Sequence, residues 1–303
     1  MRPTVRITGL AASIALAGLV AACGAAGGSP DPAGDRVRVV ATTTVFADLV
    51  AQVGGDDVEV AALVPKGGEV HTFDPTPADV QHIAEADLVV YNGLGLDDWL
   101  ADLVVDAGTG ARLVALAEDL EGVEYLADEG APNPHLWLDV SHARRYVERI
   151  EGALAELDPA RAADHGARAR ASDERLATLD DEAREAIGAL PAERRRVVSF
   201  HDAFPYFAAA YELEIVGTVV DAPGQDPSAG EIADLVAAIR DAGVSAIFSE
   251  AQFSDDLVRT LAEETGVAVV SDLYTDSLGD PPADTYEGMM RGNLERVVEA
   301  LRG

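Results

Sequence analysis

The chain has 303 residues, 54 of them acidic against 22 lysines and arginines, for a formal net charge of −32 at pH 7. Nucleic acid and anionic head groups are poor partners for such a field, while cations are drawn to it, although solvated surface accounts for most of the charge. One cysteine cannot make an internal disulfide, and residues 36–303 suffice for two lobes of ordinary size.

In chain order, residues 1–22 come first. Arg2 and Arg6 lead into an uncharged apolar run, Ile7 to Ala22. That is the pattern of a secretory signal peptide, and it is short for a membrane span of about 20 residues. Val20-Ala21-Ala22-Cys23 resembles the lipobox of bacterial lipoproteins, which implies that Cys23 is lipidated and becomes the first mature residue. The alternative is a signal peptidase site beside an incidental cysteine. Residues 23–35 continue as a Gly/Pro/Ala tether without a packing pattern. The mature chain is expected outside the cytoplasm, touching the membrane through its lipid only.

Apolar runs predict strands at Val37–Thr42, Val58–Val64, Leu88–Tyr91 and Arg112–Leu116. Helical periodicity falls between them at Phe46–Val53, Ala78–Ala86 and Asp98–Asp106, and again at Ser141–Leu157. Thr76-Pro77-Ala78-Asp79 is a helix start, with a capping threonine and a proline at the first helical position. The pattern resumes with strands at Val197–Phe200, Ile215–Val219, Ala246–Ser249 and Val267–Ser271. Helices at Pro205–Tyr211, Ala229–Ala242, Asp255–Thr265 and Thr285–Leu301 separate and follow them, and Ser228 with Glu231 forms a capping box. Between the two sets, residues 159–190 hold no strand candidate and predict one helix about 45 Å long at 1.5 Å per residue. The fold class is therefore α/β: two lobes (36–158 and 191–303) with mainly parallel sheets, joined by one long helix.

Six histidines stand at positions 71, 82, 135, 142, 165 and 201. His82, His142 and His165 lie in helical patterns among polar neighbours and are expected on the surface. His71, His135 and His201 fall in loops next to strands, where α/β folds place ligands. They are 64 and 66 residues apart (71 to 135, 135 to 201), so nothing resembles the local spacing of a zinc finger, and there is no H-E-x-x-H. Spacing alone leaves open whether the three converge.

The segments EVHTFDPTPAD, NPHLWLD, SFHDAFPYFAAAYELEIVG, SEAQFSDDLVRTLAEETG and LYTDSLG, taken in series, resemble the solute-binding lipoproteins of bacterial zinc and manganese ABC importers. The likeness runs from Val37 into the last helix. It implies two lobes with a metal cleft between them, no enzymatic activity, and an ABC-type metal permease in the membrane as partner. It also implies Zn2+ or Mn2+ as transported ligand, held by His71 and His135 from the first lobe and His201 and Asp276 from the second. The chain is expected to be monomeric.

Three neutral imidazoles and a carboxylate suit zinc. Asp74, Asp139 and Asp202 are near enough in sequence to orient imidazoles, each with a plainer role at a helix start. Glu250 is a further outer partner or minor ligand, with a buried or turn-stabilising role as the plainer reading. Asp272 competes with Asp276, whose Thr-Asp-Ser setting favours it. Two features depart from the family. Zinc receptors often carry a His-rich insertion where this chain has acidic residues 118–133, and manganese receptors commonly have Glu where His201 stands. A zinc hydrolase is the weaker alternative, since it keeps one position open for water. NGLGLDDW, residues 92–99, reads as a turn rather than a phosphate cradle.

Overall fold

The computed structural model describes Met1 and residues 36–128, 130–220 and 222–303; the expected signal peptide, Cys23 and the tether lie outside the described residues. Two four-stranded parallel sheets organise the chain. The first contains β1 (Val37–Ala41), β2 (Val58–Ala62), β3 (Leu88–Tyr91) and β4 (Arg112–Ala115), in the order β2-β1-β3-β4. Val39 pairs with Val60 on one side and Leu88 on the other. Val39, Val40, Ala41 and Leu88 to Val90 are all buried, as central parallel strands covered on both faces must be. Helices α1 (Thr44–Gly54), α2 (Pro77–Glu85) and α3 (Leu100–Ala107) make the crossovers. A short antiparallel hairpin, β5 (Ala127–Asp128) and β6 (Ala131–Pro132), then leads to α4 (Val140–Leu157).

The second sheet repeats the plan with β7 (Arg196–Ser199), β8 (Glu214–Thr218), β9 (Ala246–Glu250) and β10 (Ala268–Leu273), in the order β10-β9-β7-β8. Its helices are α6 (Pro205–Tyr211), α7 (Ala229–Ala242), α8 (Asp256–Thr265) and α9 (Tyr286–Arg302). In each sheet the winding reverses beside the first strand, and loops at the carboxyl ends of such strands form a ligand crevice.

The long helix α5 covers Ala162–Gly188. It starts later than Pro159 because the Arg161 amide donates to Asp158 O and its guanidinium to Asp158 Oδ2, closing a turn first. It stops short of Leu190, which precedes Pro191 and is steered out of helical geometry. Its 27 residues make about 40 Å of rod. Leu176, Leu179, Ala183 and Ile187 form a buried stripe, and the helix packs on α1 and α4 of the first half and on α6 and α9 of the second.

The seam between the halves is a packed core. Fully buried Trp137 meets Phe46 edge-on, with ring centroids 5.2 Å apart. Its indole N–H donates to Thr275 O at 2.9 Å, and Tyr286 OH donates to Trp137 O at 2.6 Å. Leu278 N donates to Thr44 Oγ1, and Gly67 N to Ser277 Oγ. Trp137→Phe should therefore lower the melting temperature measurably, because Thr275 O would stay buried without its donor at a cost of about 1–3 kcal/mol. An unchanged transition in differential scanning calorimetry would show that the indole bond does not hold the seam.

Candidate metal centre

Four loops at strand ends supply the residues. His71 lies between β2 and α2. Trp99 Nε1 donates to Val70 O at 2.9 Å, and its ring packs on Phe73 at 4.8 Å. The far end of the loop is set by Pro77 and by the capping box, in which Asp79 Oδ2 accepts from Thr76 N at 2.7 Å. His135 follows the hairpin. Asn92 Nδ2 donates to Pro134 O at 2.9 Å, and Tyr146 OH donates to Asn92 Oδ1 at 2.7 Å. The Asn92 and Gly93 amides both donate to the buried Asp97 carboxylate, so NGLGLDDW is a turn filled by its own acid. His201 follows β7, and Asp276 follows β10 in a buried Thr-Asp-Ser turn.

The structure brings His71, His135, His201 and Asp276 together, with one donor atom from each lying within 4.8 Å of all the others. His135 Nε2 is 3.2 Å from His71 Nε2, 3.4 Å from His201 Nε2 and 3.8 Å from Asp276 Oδ1. A tetrahedral zinc with Zn–N of about 2.0–2.1 Å has ligand–ligand edges of roughly 3.3–3.4 Å. His135, His201 and Asp276 are each at most 2 % exposed, while His71 is only half-buried and marks the open side. Asp276 Oδ1 is buried with no hydrogen-bond partner, an arrangement that a buried carboxylate oxygen tolerates poorly without a cation.

The outer hydrogen bonds fix which nitrogens face inward. His135 Nδ1 donates to Asn133 Oδ1 at 3.0 Å, and Asn133 Nδ2 donates to Asp202 Oδ2 at 2.8 Å and Asp202 O at 2.7 Å. Those contacts leave the Asn133 amide only one orientation, and an amide oxygen only accepts. Hence neutral His135 carries its proton on Nδ1 and turns a bare Nε2 inward. His201 Nδ1 donates to Glu250, 2.8 Å from Oε1 and 3.0 Å from Oε2, which makes Nε2 the nitrogen that His201 turns inward.

Of the expected outer carboxylates, Glu250 touches an imidazole directly, and Asp202 acts one step removed, through Asn133. Neither of the other two reaches an imidazole of the cluster. Asp74 is exposed, and Asp139 accepts from Ser141 N at 2.8 Å as the cap of α4, with its other oxygen 3.7 Å from His142 Nε2. Asp272 is exposed too, at φ 59° in the bulge where β10 shifts register. Asn133 and Gln252 have no counterpart in the sequence reading; the only available signal was their nearness to His135 and Glu250 in sequence.

Among the remaining histidines His82 is exposed and His142 half-buried, whereas His165 is fully buried, contrary to the surface expectation. Its Nδ1 accepts from Arg168 Nη2 at 2.9 Å, because α5 packs this turn against the end of α1.

Burial, then the positive charge of His201, lowers His71 to about 3. Burial and the neighbouring histidines hold His135 well below the usual imidazole range. For His201 burial pulls the same way, but the Glu250 carboxylate, with Asp276 and Glu69, outweighs it and raises the group to about 9. Burial raises Asp276 to about 8, the Glu69 and Glu250 charges adding to it and His201 opposing. One imidazole thus holds a proton where two others present bare nitrogens.

Two parallel-sheet lobes on a long helix, with a buried cluster of three imidazoles and a carboxylate between them, define a metal-binding substrate receptor. Residues 39–300 match the family model of the zinc-uptake complex component A periplasmic proteins (ZnuA), and the chain belongs to that family. It is the substrate-binding component of a metal ABC importer, a class whose partner is a membrane permease. The chain is 29 % identical to the metal ABC transporter substrate-binding lipoprotein ScbA of Streptococcus cristatus, over 95 % of this chain and 96 % of that one. It is also 29 % identical to the manganese-binding lipoprotein MntA of Halalkalibacterium halodurans, over 93 % and 94 % of the two chains. Among solved structures it resembles the periplasmic zinc-binding protein TroA of Treponema pallidum, with a TM-score of 0.82 and 30 % identity, covering 88 % of this chain and 99 % of that one.

Proposed function

We propose that the chain captures Zn2+ outside the cytoplasm, with His71, His135, His201 and Asp276 as ligands, and hands it to the permease of its importer. One observation carries the reading. His135 and His201 have both committed Nδ1–H to outer acceptors, and they aim Nε2 at each other across 3.4 Å, about the edge of a zinc tetrahedron. Four protein donors fill a tetrahedron and leave no open position for a reacting water, which argues for carriage rather than hydrolysis. Manganese is the second reading, favoured by the name of the MntA relative and by the absence of histidine from residues 118–133.

Metal analysis of purified residues 36–303 should return one equivalent per chain, and His135→Ala should abolish it with the fold retained. Full stoichiometry in that variant would place the metal elsewhere.

The domain plan belongs to the same proposal: signal peptide 1–22, lipidated Cys23 and tether to 35, lobes 36–158 and 191–303, and a linking segment 159–190 that carries helix α5, in a monomer. Cys23→Ser should release the protein from the membrane fraction or block its processing. Unchanged partitioning would remove the lipid anchor from the account.

A further inference from the structure

The two oxygens of Asp276 are treated unequally. Oδ2 accepts from Gln252 Nε2 at 3.2 Å, whereas Oδ1 has no hydrogen-bond partner and faces His135 Nε2 at 3.8 Å. Gln252 is held in turn, since the same Nε2 donates to Thr275 Oγ1 at 2.9 Å. Thr275 Oγ1 donates to Glu250 Oε1 at 3.1 Å, and Glu250 accepts from His201. One relay, from His201 through Glu250, Thr275 and Gln252 to Asp276, thus ties the two site residues of the second half together. The amide orientation follows from the network, because Thr275 Oγ1 gives its one proton to Glu250 and must accept from the amide nitrogen.

We infer that Gln252 sets the coordination number of the site and, through it, the preference for zinc over manganese. By holding Oδ2 in a hydrogen bond it turns the bare Oδ1 towards the cluster as the oxygen that Asp276 offers. Together with three imidazoles that makes four donors, the number zinc takes in closed sites. Manganese suits oxygen-rich, octahedral surroundings, which a carboxylate free to bind through both oxygens would approach. The inference rests on the receptor reading given above.

Gln252 is half-buried on the turn after β9, so Gln252→Met keeps the side-chain length while removing the amide and its hydrogen bonds to Thr275 and Asp276. Gln252→Leu serves as an independent second variant. With both, one metal per chain should be retained, and competition titration should show the zinc-to-manganese affinity ratio falling about tenfold, the lower end of what losing an outer partner does to metal affinity. Cobalt substituted into the wild-type protein should give the intense visible absorption of a four-coordinate ion, and in the variants the weak absorption of a higher-coordinate one. An unchanged affinity ratio, or equal losses for both metals with the four-coordinate spectrum intact, would overturn the inference and leave the receptor reading standing. A wild-type protein that takes up neither metal would overturn both.

Discussion

Zinc at 1,000-fold excess over Kd should stabilise the folded chain by about 4 kcal/mol, because a ligand held only by the native state contributes RT ln(1 + [L]/Kd). For a protein of this size that is a rise of roughly 10 °C in melting temperature. The gain should fall as the pH falls, and His201 sets the direction. A group raised to about 9 keeps its proton through neutral pH, so metal must expel it. Affinity then drops about tenfold per pH unit for each proton released. From pH 7 to pH 4 that is about 1,000-fold for one proton, so the excess over Kd falls to about one and the gain to about 0.4 kcal/mol. Asp276, raised to about 8, steepens the fall.

The metal-free chain has its own dependence on pH. His71, lowered to about 3, stays neutral in the fold while the unfolded chain takes up protons below about 6.5, so stability is lost as the pH falls through that window. His201 acts oppositely. Its contribution is complete below about 6.5 and is lost as pH rises towards about 9. Scanning calorimetry with and without zinc, from pH 4 to pH 9, tests all of this. A zinc shift undiminished at pH 4 would rule out a histidine site.

Much of the fold was legible because the strands of both large sheets are apolar runs bounded by turns and some helices open on a capping motif, as at Thr76 and Ser228. The two-residue strands of the β5–β6 hairpin escaped, being too short for any period and lying among acids and a proline. The four site residues are far apart in the chain, and periodicity says nothing about where loops meet in space; the series of motifs, read as a resemblance, was what grouped them. Outer partners were harder to read. Asp139 looked well placed beside His135, but an aspartate next to a helix start reaches the amide two residues on more readily than a ring in another loop. Asn133 went unnoticed because an uncharged amide between prolines reads as loop chemistry, although here it links His135 to Asp202. His165 misled for another reason. Polar neighbours suggest a surface helix, yet α5 is buried on more than one side by α1, α4, α6 and α9.

The relation between His201 and Glu250 predicts a coupled effect larger than a ligand exchange alone. His201→Glu replaces a nitrogen donor with oxygen, which should weaken zinc more than manganese. It also sets a new carboxylate against Glu250, which is 1 % exposed and would lose the imidazole whose Nδ1–H it accepts. Removing one partner of a buried charged pair typically costs 3–5 kcal/mol, so the metal-free variant should lose roughly that much stability to denaturant. Glu250→Gln added to it removes the opposing charge and supplies an amide N–H in its place. The double variant should therefore recover about 1–3 kcal/mol, a coupling of the size seen between side chains in contact. Zinc should remain the more weakened metal in both backgrounds, since the missing nitrogen is not restored. Equal losses of zinc and manganese in competition titrations would mean that position 201 does not set the preference. Additive stabilities, with no recovery in the double variant, would mean that Glu250 does not hold the side chain at position 201, and the account of how the inward nitrogen is fixed would have to be abandoned.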